Sequence, residues 1–227
     1  MRPGPAVGQA GRVGKSVLSL KLPRSFYDRA ALDVARDLIG KVLVHRHRGV
    51  VTSGAIVELE AYIGESDPAC HAAPGPTRRN EPLYGPPGHA YVYLNYGIHN
   101  LFNVVAESAG SPAAILIRAL DPLDGIDAMR RRRGTSATSV HDLCRGPGNL
   151  TTAMGITLGD NRVDLTGDRL FVEDRGLRVG PIAWGRRIGI NVGTEHPWRA
   201  YVEGHPAVSG KRAPLSLSPS ASLASPE

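Results

Sequence analysis

A chain of 227 residues, 41% of them hydrophobic, can bury one substantial core and is too short for two domains without a visible linker. Lys and Arg number 27 against 21 Asp and Glu, a formal charge of +6, which suits a phosphate-rich partner without requiring one. Cys70 and Cys144 lie far apart with no C-x-x-C pairing, which argues against a disulfide framework or zinc knot and fits a reducing cytoplasm. The Gly- and Pro-broken start of the chain reads as neither a signal peptide nor a membrane span.

Residues 1–20 and 211–227 are rich in Gly, Pro, Ala and Ser without apolar periodicity, so disordered tails are expected around a folded domain at 21–210. Ala31, Leu32, Val34, Ala35, Leu38 and Ile39 recur at helical spacing before Gly40, predicting a helix over 28–39. A hairpin follows, its β-branched arms at 41–47 and 51–62 joined at Arg48-Gly49. Ser66-Asp67-Pro68 should start a short helix. Further strands are predicted at 89–95, 100–106, 113–119, 168–173 and 185–190, with helices near 122–133 and 147–154. Strands outnumber helices and are joined by short turns, which makes the fold a single compact α+β domain with an antiparallel sheet.

Residues 56–105 hold five of the seven tyrosines, Tyr62, Tyr84, Tyr91, Tyr93 and Tyr96. Tyr91 and Tyr93 share one face of a strand, whereas Tyr96 falls at a hairpin turn and should be exposed. Half-buried packing explains the first two equally well. An exposed ring at a turn tip of a basic protein can act as a wedge in a base stack, since unstacking costs only a few kcal/mol. Glu58 and Glu60 also share a strand face, where a carboxylate is ordinarily solvated or paired. Glu60 differs in its surroundings, because Tyr62 follows on the same face and Cys70-His71 comes shortly after, so carboxylate, flat ring and imidazole can converge.

Arg130 to Arg133 form a run at a helix end, where solvated charges suit the negative pole of the helix. Arg145-Gly146-Pro147-Gly148 precedes a helical stretch whose free amides could hold phosphate, although a Gly-Pro turn that caps a helix needs no ligand. The chain lacks H-x-E with P-C-x-x-C, H-E-x-x-H and G-x-G-x-x-G, against a zinc deaminase, a metalloprotease or a dinucleotide enzyme. Cys70, His71, His89 and His99 are too irregularly spaced to predict a metal site.

Taken in order, Val-Glu-Leu-Glu-Ala-Tyr (57–62), Ala-Cys-His (69–71), Thr-Arg-Arg-Asn (77–80), Tyr-Val-Tyr-Leu-Asn-Tyr-Gly (91–97), Asn-Val-Val (103–105), Leu-Ile-Arg-Ala-Leu (116–120) and Arg-Gly-Pro-Gly-Asn-Leu (145–150) resemble the alkyladenine (3-methyladenine) DNA glycosylases of the vertebrate type, which also occur in bacteria. The resemblance spans residues 22–209. It implies a protruding β-hairpin and a monofunctional, cofactor-free enzyme of base excision repair. Such an enzyme flips purines such as 3-methyladenine, 7-methylguanine, hypoxanthine or ethenoadenine out of double-stranded DNA and hydrolyses the N-glycosidic bond, leaving an abasic site.

By the same resemblance Glu60 activates the water, and Arg118 helps hold the water or an adjacent phosphate. Tyr62 stacks on the flipped base, His71 and Tyr93 close its opposite face, and Asn103 lines the floor against the amino group of guanine. Tyr96 fills the gap in the DNA. Ile98 beside it stands where the family commonly has Met, and His99 where an aromatic can stand. Arg78, Arg79, Arg145, Gly146 and Gly148 are candidate contacts to the DNA backbone. A monomer without metal or membrane attachment is implied, cytoplasmic in a bacterium and nuclear in a eukaryote. The alternative is a non-catalytic binder of damaged nucleic acid that keeps wedge and pocket without turnover.

Overall fold

The sheet is organised around one fourteen-residue strand, Val50–Ile63, in a computed structural model that describes residues 20–210. The segments 1–19 and 211–227, expected as tails, lie outside the described residues. In chain order the elements are β1 (Leu20–Lys21), α1 (Arg24–Tyr27), α2 (Ala31–Leu38), β2 (Val42–His47), β3 (Val50–Ile63), β4 (Ala90–Asn95), β5 (His99–Val105), β6 (Ala113–Asp124), α3 (Ile126–Arg133), α4 (Pro147–Met154), β7 (Leu170–Asp174), β8 (Ile182–Gly185) and β9 (Arg199–Val202).

All pairings are antiparallel, in the order β1-β7-β2-β3-β6-β5-β4, with β8 joined to β9 and β9 to β3. The α+β class and the antiparallel sheet are therefore as expected. β2 pairs with the first half of β3 and β9 with Glu58–Glu60, both on the edge opposite β6. Residues 52–61 are buried without interruption, so this stretch of β3 has no solvent face, and its two glutamates must find partners inside the protein.

Apolar side chains of α1 and α2 (Tyr27, Val34, Leu38), α3 (Met129) and α4 (Leu150, Met154) join those of the sheet in the main core. A smaller cluster, Cys70, Ala72, Leu83, Tyr91, Val105 and Ala114, packs beside Tyr62, Tyr84 and Tyr93. β4 and β5 form the expected hairpin, closed by Tyr96-Gly97-Ile98 with Asn95 opposite His99. Tyr96 and Gly97 adopt positive φ angles of 49° and 71°, which turns the Tyr96 ring outward, 88% exposed.

Several expectations are corrected. The helix expected over 28–39 is α2, but it starts only at Ala31, where Glu107 Oε1 accepts the Ala31 amide at 3.1 Å from outside the local sequence, and the separate short helix α1 precedes it. The helix near 122–133 starts only at Ile126, since β6 runs on to pair Pro122 with Gly54 and Asp124 with Ser53. The predicted strand at 185–190 is displaced: β8 ends at Gly185, and the chain then leaves the sheet so that the Ile188 amide can reach Glu60. Turns replace the short helix at Ser66-Asp67-Pro68, and Asp67 accepts the Ile63 and Ala69 amides in place of capping one. β1 and β9, too short to show alternation, were not anticipated.

Gly125 joins β6 to α3 at a φ of 76°, and a Cβ there would stand 2.4 Å from the Val51 carbonyl oxygen. Both the backbone angle and the contact exclude larger residues. Gly125→Ala should therefore lower stability by about 1–3 kcal/mol in urea unfolding with an unchanged m-value. An unshifted midpoint would show that this junction relaxes freely.

Candidate active site

β3 delivers Glu58, Glu60 and Tyr62 at a two-residue period toward Arg118 of β6, with a register irregularity around Glu58. Glu60 is fully buried. Its Oε1 accepts the Ile188 amide at 2.7 Å, and its Oε2 accepts the Tyr62 hydroxyl at 2.8 Å and pairs with Arg118 Nη1 at 3.2 Å. Glu58, equally buried, accepts Arg118 Nε (3.0 Å) and Arg199 Nε (2.8 Å) on one oxygen and the Ser209 amide (2.6 Å) on the other. Arg199 Nη2 also donates to the Ser209 carbonyl at 3.0 Å, and Arg118 Nη2 to the Ser209 hydroxyl at 3.3 Å.

Two acids and two guanidiniums thus balance within the protein, which burial demands, since an unpaired buried charge costs several kcal/mol. Burial alone would weaken the hold of Arg118 on its proton. Glu60 and Glu58 outweigh it and keep the guanidinium above the ordinary arginine pKa. Burial, and then Glu60, push the Tyr62 hydroxyl well above the usual tyrosine range.

These groups back a cavity of about 430 Å³ whose lining includes Tyr62, His71, Tyr93, Asn103 and Arg118, a size typical of small-molecule sites. Glu60 itself lies one layer behind, and its three donors, on Tyr62, Arg118 and Ile188, belong to lining residues. His71 meets Tyr93 edge-on with centroids 4.5 Å apart, and its Nδ1 is hydrogen-bonded to the Tyr91 hydroxyl at 2.9 Å. Burial, with some help from Arg79, lowers the His71 pKa, so the ring is neutral near pH 7. Burial also pushes the Tyr91 hydroxyl up to about 12. Asn103 is 4% exposed and donates to the Tyr91 carbonyl at 3.1 Å.

Tyr96 also borders the cavity, while its ring and Ile98, 74% exposed, stand out at the hairpin tip. Arg79 lies 5.7 Å from the Tyr93 ring centroid at the rim, and Arg78 beside it is exposed. Arg145 is tied to the Val208 carbonyl (3.1 Å), and Gly146, at φ 96°, leads into α4. Gly148 has a packing role, because a Cβ there would meet the His99 ring at 2.8 Å. In the arginine run, Arg132 holds the Ala153 carbonyl at the end of α4 (2.8 Å), Arg133 holds that of Leu143 (3.1 Å), and Arg130 and Arg131 are exposed. Cys70, in the cavity wall, has its thiol pushed up to about 11 by burial.

Other residues of the site carried no local signal. Arg199, Ser209 and the Ile188 amide reach it from distant stretches, where only the need of two buried glutamates for partners could have pointed to them, while Arg187 pairs instead with Asp67. Asn80, the last residue of the Thr-Arg-Arg-Asn motif, proves structural: its side chain holds the carbonyls of His71 (2.7 Å) and Gly75 (2.9 Å) and so fixes the turn that carries the imidazole. Among the described residues no group of His, Cys, Asp or Glu is arranged to hold a metal ion, and no helix is long and apolar enough to cross a membrane.

Residues 25–206 match the family model of methylpurine-DNA glycosylase. A protein of Chlorobium phaeobacteroides (strain BS1) is 47% identical over 195 residues, covering 85% of this chain and 97% of the relative. One from Methanocella arvoryzae is 49% identical over 197 residues, 85% and 97% of the two chains. One from Bacillus cereus (strain AH187) is 43% identical over 205 residues, 85% of this chain and all of the relative. All three are provisionally named 3-methyladenine DNA glycosylase.

The lowered His71 pKa has a pH consequence. A histidine held below its unfolded value of about 6.5 contributes stability above that pH and loses it as pH falls toward the folded-state pKa, because the unfolded chain then binds more protons. Urea midpoints should drop between pH 7.5 and 5.5, and His71→Gln should remove part of the drop. An equal drop in the variant would place its origin elsewhere.

Proposed function

The chain belongs to the methylpurine-DNA glycosylase family, and we propose that it turns a damaged purine out of double-stranded DNA into the aromatic cavity and hydrolyses its bond to the sugar. The observation that carries this reading is the placing of Tyr62, His71 and Tyr93 around a cavity directly in front of the buried Glu60.

Alkylation at N3 or N7 makes the purine cationic and a good leaving group. What remains for the protein is to extrude the base, supply a water and stabilise an oxocarbenium-like sugar. In the proposed reaction Glu60 accepts the proton of the water and its charge faces the developing cation. A second acid, as in two-carboxylate glycosidases, matters less when the leaving group already bears charge. The Tyr62 face attracts a cationic ring, and His71 and Tyr93 close the other side. Arg118 holds Glu60 and, with it, the water.

Asn103, on the cavity floor, obstructs the exocyclic amino group of guanine. Neutral lesions such as hypoxanthine or ethenoadenine instead draw on hydrogen bonds near His71. Tyr96, with Ile98 beside it, enters the space the base leaves. Arg78, Arg79 and Arg145 and the amides around Gly146 and Gly148 meet the phosphates, the last pair at a helix start that favours anions. The product is an abasic site, and the reaction as proposed uses water alone.

Glu60→Gln keeps the shape and removes both the proton acceptor and the charge. Single-turnover release of methylated purine should fall by about 10²–10⁴-fold while binding to lesion DNA persists. Release at the parental rate would exclude Glu60 as the base.

Tyr96→Ser should act on flipping. Base–aromatic stacking is worth about 1–3 kcal/mol, so the flipped population should fall by about 5- to 150-fold, less so for a lesion that is already mispaired. The exposed ring contributes little to folding. A defect independent of pairing, read with a fluorescent base analogue beside the excision rate, would remove Tyr96 from the wedge role.

A further inference from the structure

Arg187 stands behind the wall of the cavity. It is 5% exposed, and its guanidinium packs 4.6 Å from the Tyr62 ring centroid and 5.1 Å from that of Trp198. Trp198 in turn stacks on His196 with centroids 4.1 Å apart and 7° between the planes. Nη1 donates to Asp67 Oδ2 (2.5 Å) and to the Ala61 carbonyl (3.0 Å), and Nη2 to Asp67 Oδ1 (2.8 Å) and the Gly193 carbonyl (3.1 Å). Asp67 also accepts the amides of Ile63 and Ala69, at 3.2 and 3.0 Å, the residues that enter and leave the turn before His71.

One guanidinium therefore ties together three stretches of chain: the end of β3 that carries Tyr62, the turn that leads to His71, and the loop 186–193. The residue after it, Ile188, donates its amide to Glu60 Oε1 at 2.7 Å. Gly193 leaves room for the fork, since a Cβ there would stand 3.0 Å from Arg187 Nη2 and 3.3 Å from Asp67 Oδ1. Only arginine combines a planar bidentate fork for the carboxylate with flat faces for aromatic rings; a lysine would keep the charge and lose both.

We propose that Arg187 is the positioning residue of this site, setting the slot between Tyr62 and His71 for a flat base and, through the Ile188 amide, the aim of Glu60. The inference rests on the base-excision reading of the cavity. Arg187 touches neither base nor water.

The test compares the full-length parent with Arg187→Lys, using Gly125→Ala as a control destabilised far from the site, all below their unfolding transitions. In Arg187→Lys, single-turnover release of methylated purine should fall by about 10- to 100-fold, the range for misplaced groups that support a reacting centre. Affinity for undamaged duplex, set by phosphates, should hold. The Ile188 amide should exchange with deuterium at least about tenfold faster than in the parent, relative to the sheet amides. Gly125→Ala should do neither at comparable loss of Tm.

The proposal is overturned if Arg187→Lys leaves Ile188 exchange and base release at parental values, or if Gly125→Ala reproduces both changes. Should the parent release no base, the excision reading fails, and faster or unchanged Ile188 exchange still decides for or against Arg187.

Discussion

The structure depends on keeping two carboxylates, Glu58 and Glu60, in charge balance on a stretch of strand that has no solvent face. Neither can be buried alone, because removing one partner from a buried pair typically costs about 3–5 kcal/mol. Their partners come from four places far apart in the chain: Arg118 on β6, the Ile188 amide beyond β8, Arg199 on β9 and Ser209 near the end of the described residues. β9 lies against β3 with Arg199 opposite Glu60, and β6 lies on the other edge. The two long-range strand pairings and the ion pairs require each other. Such a cluster is weak evidence for stability as such, since well-packed apolar groups could serve as well. What it does is hold a carboxylate at one orientation.

That orientation links the fold to the proposed chemistry. Glu60 is held on both oxygens by groups of residues that line the cavity, so the acid and the aromatic walls form one unit. Tyr62 belongs to both parts, with its hydroxyl on the carboxylate and its ring on the cavity. The opposite wall is set differently: His71 depends on Asn80 for its backbone and on Tyr91 for its ring. The cavity thus presents neutral rings and an imidazole whose pKa burial lowers, with the negative charge of Glu60 behind them.

Much of this was legible in the sequence where local rules suffice. Asn95 to His99 announced a turn, and the turn placed Tyr96 outside, as found. The Gly-Pro start of α4 and the alternation of β2 and β3 gave elements close to those observed. The candidates Glu60, Tyr62, His71, Tyr93, Asn103 and Arg118, taken from the resemblance, gather at one cavity and its back wall. The failures share a cause. The later start of α2 depends on Glu107, the late start of α3 on the pairing of β6 with β3, and the loss of strand at 186–190 on Glu60. Each is decided by a partner remote in sequence, which periodicity within a window cannot register. Gly148 was a candidate phosphate contact on local grounds, and its neighbour His99 supplies a packing reason that only the fold reveals.

The central claim, that this cavity receives a purine turned out of duplex DNA, is tested most directly by a crystal structure of the protein with a duplex carrying a damaged purine on a sugar fluorinated at C2′, which slows cleavage of the glycosidic bond. The account predicts the purine against Tyr62 and beneath His71, the Tyr96 ring in the vacated stack, and the Glu60 carboxylate turned toward the sugar carbon. A lesion still paired within the helix, or a base held by the protein away from Tyr62 and His71, would contradict it.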